Sequence, residues 1–313
     1  MELIREAQAL TAHTAAARGW DRSVGLVPTM GSLHEGHDSL IARARAERDV
    51  VVVSVFVNPL QFVSGEDFER YPRDEAADLT RCEGLGADVV WAPPADQMFP
   101  PGVTLRAPDP GPVGDRFEGA SRPGHFAGVL TVVHRLFDVT GRSAAYLGEK
   151  DAQQLFLVRA MVRELDLAVE VIACPTVRDA DGLARSSRNA HLSPQERDQA
   201  GCLFDGLSEA ATLARAGESD ARALVAAIAR EVGAAPLARL DYVAVVDDAT
   251  FEPVQDLGPV ARARALVAAR FPSARLIDNL ALPRHRLSPG GGLGDDGPST
   301  QGPSTPGGPE GGT

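Results

Sequence analysis

The chain has 313 residues, 44% of them hydrophobic and 24% charged, a composition that suits a globular fold with room for two domains of ordinary size. With 31 basic against 43 acidic side chains the formal net charge is -12, which argues against a general affinity for nucleic acid or for an anionic membrane surface. Any anionic ligand must then be met by positive groups gathered locally at its site.

The N-terminal stretch MELIREAQALTAHTAAARGW carries acidic residues early and lacks the apolar core of a signal peptide. No run approaches the roughly 20 apolar residues of a membrane span. Three cysteines, Cys82, Cys174 and Cys202, have neither disulfide-framework nor zinc-finger spacing. These features predict a soluble, cytoplasmic protein. VGLVPT, Val24 to Thr29, reads as a buried strand, with a helix from about His37 through Glu47. DVVVVSVFVN, Asp49 to Asn58, is nearly continuous in apolar character, as in a strand buried on both faces of a parallel sheet. Asp74 to Leu85 reads as helix, ADVVWAP as strand, HFAGVLTVVHRLFDVT as helix, AAYLG as strand, KDAQQLFLVRAMVREL as helix and LAVEVIAC as strand. Such alternation predicts an α/β fold with a doubly wound parallel sheet, whose ligands sit beyond the carboxyl ends of the strands.

After about Thr176 the rhythm changes. SPQERDQAGCLFDGLSEAATLARAG opens with a serine N-cap and a proline at the first helical position, and a second helix is expected near Ser219 to Val232. LDYVAVVD, RALVAARF and ARLIDNLAL then read as three strands of a smaller C-terminal α+β domain. The expected division is 1–176, 177–287 and a tail, 288–313, whose Gly, Pro, Ser and Thr have little to bury and predict disorder.

Four clusters follow predicted strands. In VPTMGSLHEGH, His34 and His37 fall on neighbouring positions of a helix's first turn, where backbone N–H groups and the helix dipole favour an anion. Gly36 lets a phosphate approach closely. The metalloprotease spacing HExxH is not matched by HEGH, and an ordinary pair of turn histidines fits the string equally well. In GEKDAQQL, Lys150 can reach a phosphate, Asp151 can cap the helix, order the lysine or help hold Mg2+, and one of Gln153 and Gln154 can read a ligand. RDADGLARSSRN offers two hydroxyls and the guanidinium groups of Arg185 and Arg188. FVNPLQF places Asn58 and Gln61 after the most apolar strand, and FEGASRPGHF places Arg122, Gly124 and His125 before a helix. Each cluster alone is compatible with plain turn or linker chemistry. Together they describe a pocket for a nucleoside triphosphate and a small polar acid.

With these strings in view, the chain resembles the pantothenate synthetase (pantoate–beta-alanine ligase) family, through VPTMGSLHEGH, SVFVNPLQF, YPRD, FEGASRPGHFAGV, YLGEKDAQQL and DGLARSSRN in the family's order, from about Leu3 to Leu282. The resemblance implies a Rossmann-like nucleotidyltransferase domain with the HxGH signature, a smaller C-terminal domain and a homodimer. It implies that pantoate attacks ATP to give pantoyl adenylate and pyrophosphate, and that beta-alanine then displaces AMP. By motif, the ATP site comprises Met30, Gly31, Ser32, Leu33, His34, Glu35, Gly36 and His37. It continues with Gly148, Glu149, Lys150 and Asp151, then Val177 through its backbone, and Arg185, Ser186, Ser187 and Arg188. Catalysis falls to His37 as proton donor, with His34, Lys150 and Arg188. Gln61 and Gln154 contact pantoate, Gln61 later beta-alanine, with Asn58 beside them. ATP and Mg2+ are the expected cofactors, with no residue assigned to the metal. Three positions depart from the family: Arg185 where methionine is common, Asp38 beside His37, and His134 in the helix TVVHRLF. An HxGH enzyme releasing a nucleotidylated product, and a non-catalytic nucleotide-binding regulator, are the competing readings.

Overall fold

The structure, a computed structural model, describes residues 1–62, 68–69, 71–103 and 109–283. The tail expected over 288–313 lies outside the described residues.

The first half runs β1 (Glu2–Ile4), α1 (Ala7–Gly19), β2 (Val24–Thr29), α2 (Glu35–Glu47), β3 (Val50–Val55), α3 (Glu75–Gly84) and β4 (Val89–Trp91). It continues with two single-turn helices, α4 (Ala95–Met98) and α5 (Glu118–Ser121), then α6 (His125–Thr140), β5 (Ser143–Gly148), α7 (Ala152–Glu164) and β6 (Val169–Cys174). Its six strands pair in parallel in the order β1-β4-β3-β2-β5-β6. The valine run of β3 explains why both faces are covered. Val50 and Val52 join the cluster under α1, α6 and α7, while Val51 and Val53 join the opposite cluster under α2 and α3. The period-2 alternation of a strand sends successive side chains to opposite faces, so a strand apolar at every position needs helices on both. The expected doubly wound sheet is what forms.

The second half holds α8 (Pro194–Ala200), α9 (Cys202–Arg215) and α10 (Ala221–Gly233) against an antiparallel sheet of β7 (Arg239–Asp247), β8 (Ala263–Arg270) and β9 (Arg275–Leu282), ordered β7-β8-β9. Ser193 and Glu196 close a capping box across Pro194, as the serine-proline start predicts. The single helix expected from that start is broken into α8 and α9 at Gly201. Leu203 and Leu207 of α9, Leu224 and Ile228 of α10, and Val267 of β8 fill a separate apolar cluster.

The halves meet through a small cluster, Phe251, Val246 and Leu266 against Ala152, and through charge. Glu118 of α5 accepts from Nη1 and Nη2 of Arg275 of β9 at 2.7 Å each, and from the Tyr242 hydroxyl of β7 at 2.9 Å. Besides the single turns α4 and α5, two elements carry too little local signal to be predicted. β1 has only three residues, too short for a pattern, and α1 has a weak alanine-rich stripe. No described helix is long and apolar enough to cross a membrane.

Candidate active site

Strand order reverses between β2 and β5, and the strands part there. Their register holds at Gly25↔Ala144 and Leu26↔Ala145, while β2 stays paired with β3 as far as Thr29↔Val55. Thr29 turns its N–H and carbonyl to the β3 side, meeting Ser54 Oγ at 3.3 Å and the Phe56 N–H at 3.2 Å. By alternation Pro28 faces β5, where its missing N–H cannot extend the ladder. A cleft of about 1350 Å³, open to solvent, begins at this switch point.

His34 and His37 line the cleft at the amino end of α2, their ring centroids 4.2 Å apart. The Gly36 N–H donates to His34 Nδ1 at 3.1 Å, and the His34 N–H donates to His37 Nδ1 at 3.3 Å. A ring nitrogen that accepts cannot also carry the proton, so each neutral ring holds its hydrogen on Nε2. Burial, followed by the charge of Lys150, lowers the His34 pKa. Burial, followed by His34, pushes His37 down to about 3. Both rings are therefore neutral donors near pH 7. This modifies the expectation of leading amides left free for a phosphate, because the histidines take two of those N–H groups and pass their polarity on through Nε2–H. Gly36 has a further reason to be glycine: a Cβ there would stand 2.8 Å from His34 Cε1 and 2.9 Å from its Nδ1.

The loop ahead of these histidines bends through Gly31 at φ +78° and Ser32 at φ +53°, the latter costly for a residue with a Cβ. Asp78 of α3, 5% exposed, holds it by accepting the Ser32 N–H at 2.9 Å and the Leu33 N–H at 2.8 Å. A Cβ on Gly31 would sit 2.7 Å from the same carboxylate. Gly31 donates its own N–H to Thr29 Oγ1 at 3.1 Å. The amides of Gly31, Ser32 and Leu33, expected at the nucleotide, are thus already engaged. Asp78→Ala is expected to cost about 1–3 kcal/mol for each buried N–H left unpaired. Thermal unfolding checks this, and an unchanged midpoint would mean that Asp78 does not hold the loop.

Across the cleft, beyond β5, Lys150 lies 3.6 Å from the Asp151 carboxylate. Burial alone would raise the Asp151 pKa, but the charges of Lys150 and Arg188 outweigh it and the net shift is downward. Asp151 makes no cap to α7, which leaves two of the roles open to it from sequence, ordering the lysine and helping to hold Mg2+. Glu149 turns away, with Oε2 3.7 Å from Arg264. Arg188, Ser186 and Ser187 line the cleft, as do Met30, Gly148, Val177 and Gln154. The Val177 carbonyl accepts the Arg185 N–H at 2.9 Å. Tyr71 of the YPRD string, to which the motifs assign no role, also lines the cleft beside Ser187 and Arg188.

Gln61 is held from several sides. Asn58, 1% exposed, donates from Nδ2 to Gln61 Oε1 at 3.1 Å and to the Gly128 carbonyl at 3.0 Å, while its Oδ1 accepts the Leu60 N–H at 3.1 Å. Expected beside the substrate, Asn58 is committed to orienting Gln61. Gln61 Nε2 reaches Met30 Sδ at 2.8 Å, and the Gln61 carbonyl accepts from Arg122 at 3.2 Å and from His125 Nδ1 at 2.8 Å. Burial, then Arg122, brings the His125 pKa down to about 4.

Two departures from the family pattern are neutralised by neighbours. Asp38 takes a bidentate pair from Arg81 at 2.6 and 2.7 Å. Arg185 lies 2.6 Å from Asp179 and 3.4 Å from Glu35, so its charge is shared with two carboxylates at the cleft's rim.

Sheet and cleft define a Rossmann-like α/β protein that carries its HEGH string at the switch-point cleft. The sequence model described as pantoate-beta-alanine ligase matches residues 2–281. A pantothenate synthetase of Rubrobacter xylanophilus is 52% identical over 272 residues, 85% of this chain and 93% of the relative. The crystal structure of pantothenate synthetase from Thermus thermophilus superposes with a TM-score of 0.83 at 47% identity, covering 90% of this chain and 99% of that one. A Francisella tularensis pantoate-beta-alanine ligase, solved as a complex with beta-gamma ATP and beta-alanine, gives 0.72 at 32% identity, covering 90% and 97%. The chain belongs to the pantoate–beta-alanine ligase family.

Proposed function

We propose that the chain condenses pantoate with beta-alanine to give pantothenate, using ATP and passing through pantoyl adenylate. The observation that carries this reading is the sharing of one cleft by His34 and His37, Lys150, Arg188, Gln61 and Gln154. The ligands named for the Francisella tularensis structure support it.

In the first step a pantoate carboxylate oxygen bonds to the α-phosphorus of ATP, and the bond to the β-phosphate oxygen breaks to release pyrophosphate. Carboxylate and triphosphate repel, so Lys150 and Arg188 supply positive charge where negative charge gathers. The neutral histidines donate Nε2–H hydrogen bonds to phosphate oxygens and keep their protons. In the second step the beta-alanine amine attacks the acyl carbon, the bond from that carbon to the phosphate oxygen breaks so that AMP leaves, and the amine's proton passes to solvent water. Gln61 and Gln154 orient pantoate for both steps. Among the described residues no three acids, cysteines or histidines cluster to form a metal cage. Magnesium, which keeps several waters and binds mainly through phosphates, needs no such cage, and Asp151, charged and partly exposed, is the carboxylate suited to it. When bound, the ion would neutralise charge on the β- and γ-phosphates.

The test is product analysis with each substrate omitted in turn. Pantothenate and AMP are expected only when pantoate, beta-alanine and ATP are all present, while exchange of pyrophosphate into ATP is expected with pantoate and without beta-alanine. Exchange that needs beta-alanine would rule out a free-standing adenylate. A released nucleotidylated product would favour the competing nucleotidyltransferase reading. The assembly proposed is a homodimer, to be checked by sedimentation, and the domain division proposed is that of 1–176 and 177–287.

Two further expectations arise from the histidine pair. Gly36→Ala should cut the exchange rate at least about tenfold by displacing the His34 ring, although alanine at a helical position gains up to about 1 kcal/mol in propensity. Paired rate and unfolding measurements separate the two effects, and a normal rate would show that the ring's place does not matter. The exchange rate should also show no inflection from His37 near pH 6.5. Because His37 titrates near 6.5 when unfolded and near 3 when folded, the unfolded chain binds the extra proton between those values. Stability is therefore full above pH 6.5 and declines as pH falls towards 3.

A further inference from the structure

The turn Glu149–Asp151, which carries Lys150, has no cap from its own flanks: neither Gly148 nor Asp151 offers a side-chain hydrogen bond. Its support comes from the other half of the molecule. Asn279 of β9, 4% exposed, donates both hydrogens of its Nδ2 across the junction, to the Glu149 carbonyl at 2.9 Å and the Lys150 carbonyl at 2.8 Å. An asparagine amide can flip, and a flipped amide would set its oxygen against those carbonyls. Here the flip is blocked, because Arg264 of β8 donates from Nη1 to Asn279 Oδ1 at 2.6 Å. Arg264 is itself held by Asp248, through Nε at 2.6 Å and Nη2 at 3.3 Å. Asp248, Arg264 and Asn279 thus form a chain whose final contacts are two carbonyls of the lysine's turn.

We infer that Asn279 is a positioning residue for Lys150, its side-chain amide fixing the backbone from which the ammonium reaches the phosphates. The inference deepens the adenylation reading above and rests on the role given there to Lys150. A core asparagine serving only β9 would have no use for two hydrogen bonds to a turn more than a hundred residues away. The arrangement also assigns the C-terminal sheet a task in the first chemical step, although neither Asn279 nor Arg264 need touch a substrate.

Asn279→Asp is the test, since it keeps the shape and the Arg264 acceptor and removes both donors. It is expected to slow pantoate-dependent pyrophosphate exchange at least tenfold in the otherwise natural chain. In a Lys150→Ala background the same change should cost less than twofold, because a residue acting through Lys150 has nothing left to position. Equal losses in the two backgrounds, or none in the first, would overturn the inference. Hydrogen exchange gives a readout independent of turnover: amides 149–152 should exchange faster in Asn279→Asp while β2 and β3 stay protected, and unchanged exchange would also overturn it. If the natural chain shows no pyrophosphate exchange, the adenylation reading fails, and the amide measurement still decides whether Asn279 holds the turn. Should Asn279→Asp not fold, Arg264→Met frees the amide to flip with its donors intact, and the same comparisons are expected to give the same pattern.

Discussion

Alanine at His37 is expected to lower pantoate-dependent pyrophosphate exchange at least about a hundredfold, equivalent to about 2.7 kcal/mol of transition-state stabilisation. The size follows from what the ring does. His37 is half-buried and neutral, its Nδ1 occupied by the His34 N–H, so Nε2–H is a donor facing a cleft it helps to line and held in place before the reaction begins. Such a donor needs no reorganisation when charge moves onto the leaving pyrophosphate. Alanine removes it and also frees the His34 N–H, which can loosen the neighbouring ring. Glutamine at the same place, able to accept and donate, should recover part of the loss. A near-normal rate for the alanine variant would remove His37 from the mechanism.

Lys150→Ala should cost a similar factor, for a different reason. The ammonium supplies charge where the protein as a whole is negative, and Asp151 beside it is kept ionised by that same charge. Without it, Arg188 is left as the one cationic side chain assigned to the triphosphate. There is a second signature. Lys150 is one of the influences holding the His34 pKa down, so its removal should let His34 protonate at higher pH than before. The residual activity should then weaken on the acid side at a higher pH than in the natural chain. An exchange rate near normal would refute the role given to the lysine.

Much of the sheet was legible because β2 to β6 are encoded locally. VGLVPT and the valine run of β3 need no partner to be recognised, and the turn after each strand held the histidines, Gln61, Lys150 and Arg188. Less of the site's scaffolding could be read. Asp78 acts on amides 45 and 46 residues away, and Asn279 on carbonyls 129 and 130 away. No window of sequence contains both ends of such contacts. A faint signal existed for each: Asp78 shares the buried face of α3 with Cys82, and Asp278 with Asn279 interrupts an apolar strand. A polar residue on an apolar face asks for a partner without saying where it is. Asn58 looked like a ligand contact because it follows the most apolar strand, and only its 1% exposure and three hydrogen bonds set it behind Gln61. Taken alone, the charge of Asp38 opposes an anion and that of Arg185 attracts one, and Arg81, Asp179 and Glu35 beside them balance both.

Pro28 bears on how such a site can vary. The seam between β2 and β5 opens where an imino acid has no proton to offer the neighbouring strand, so the mouth of the cleft is a property of the main chain. Side chains along its walls can then be exchanged to suit a different acid or amine without closing it. Width and selectivity are set by separate parts of the molecule, and the second can drift while the first is kept.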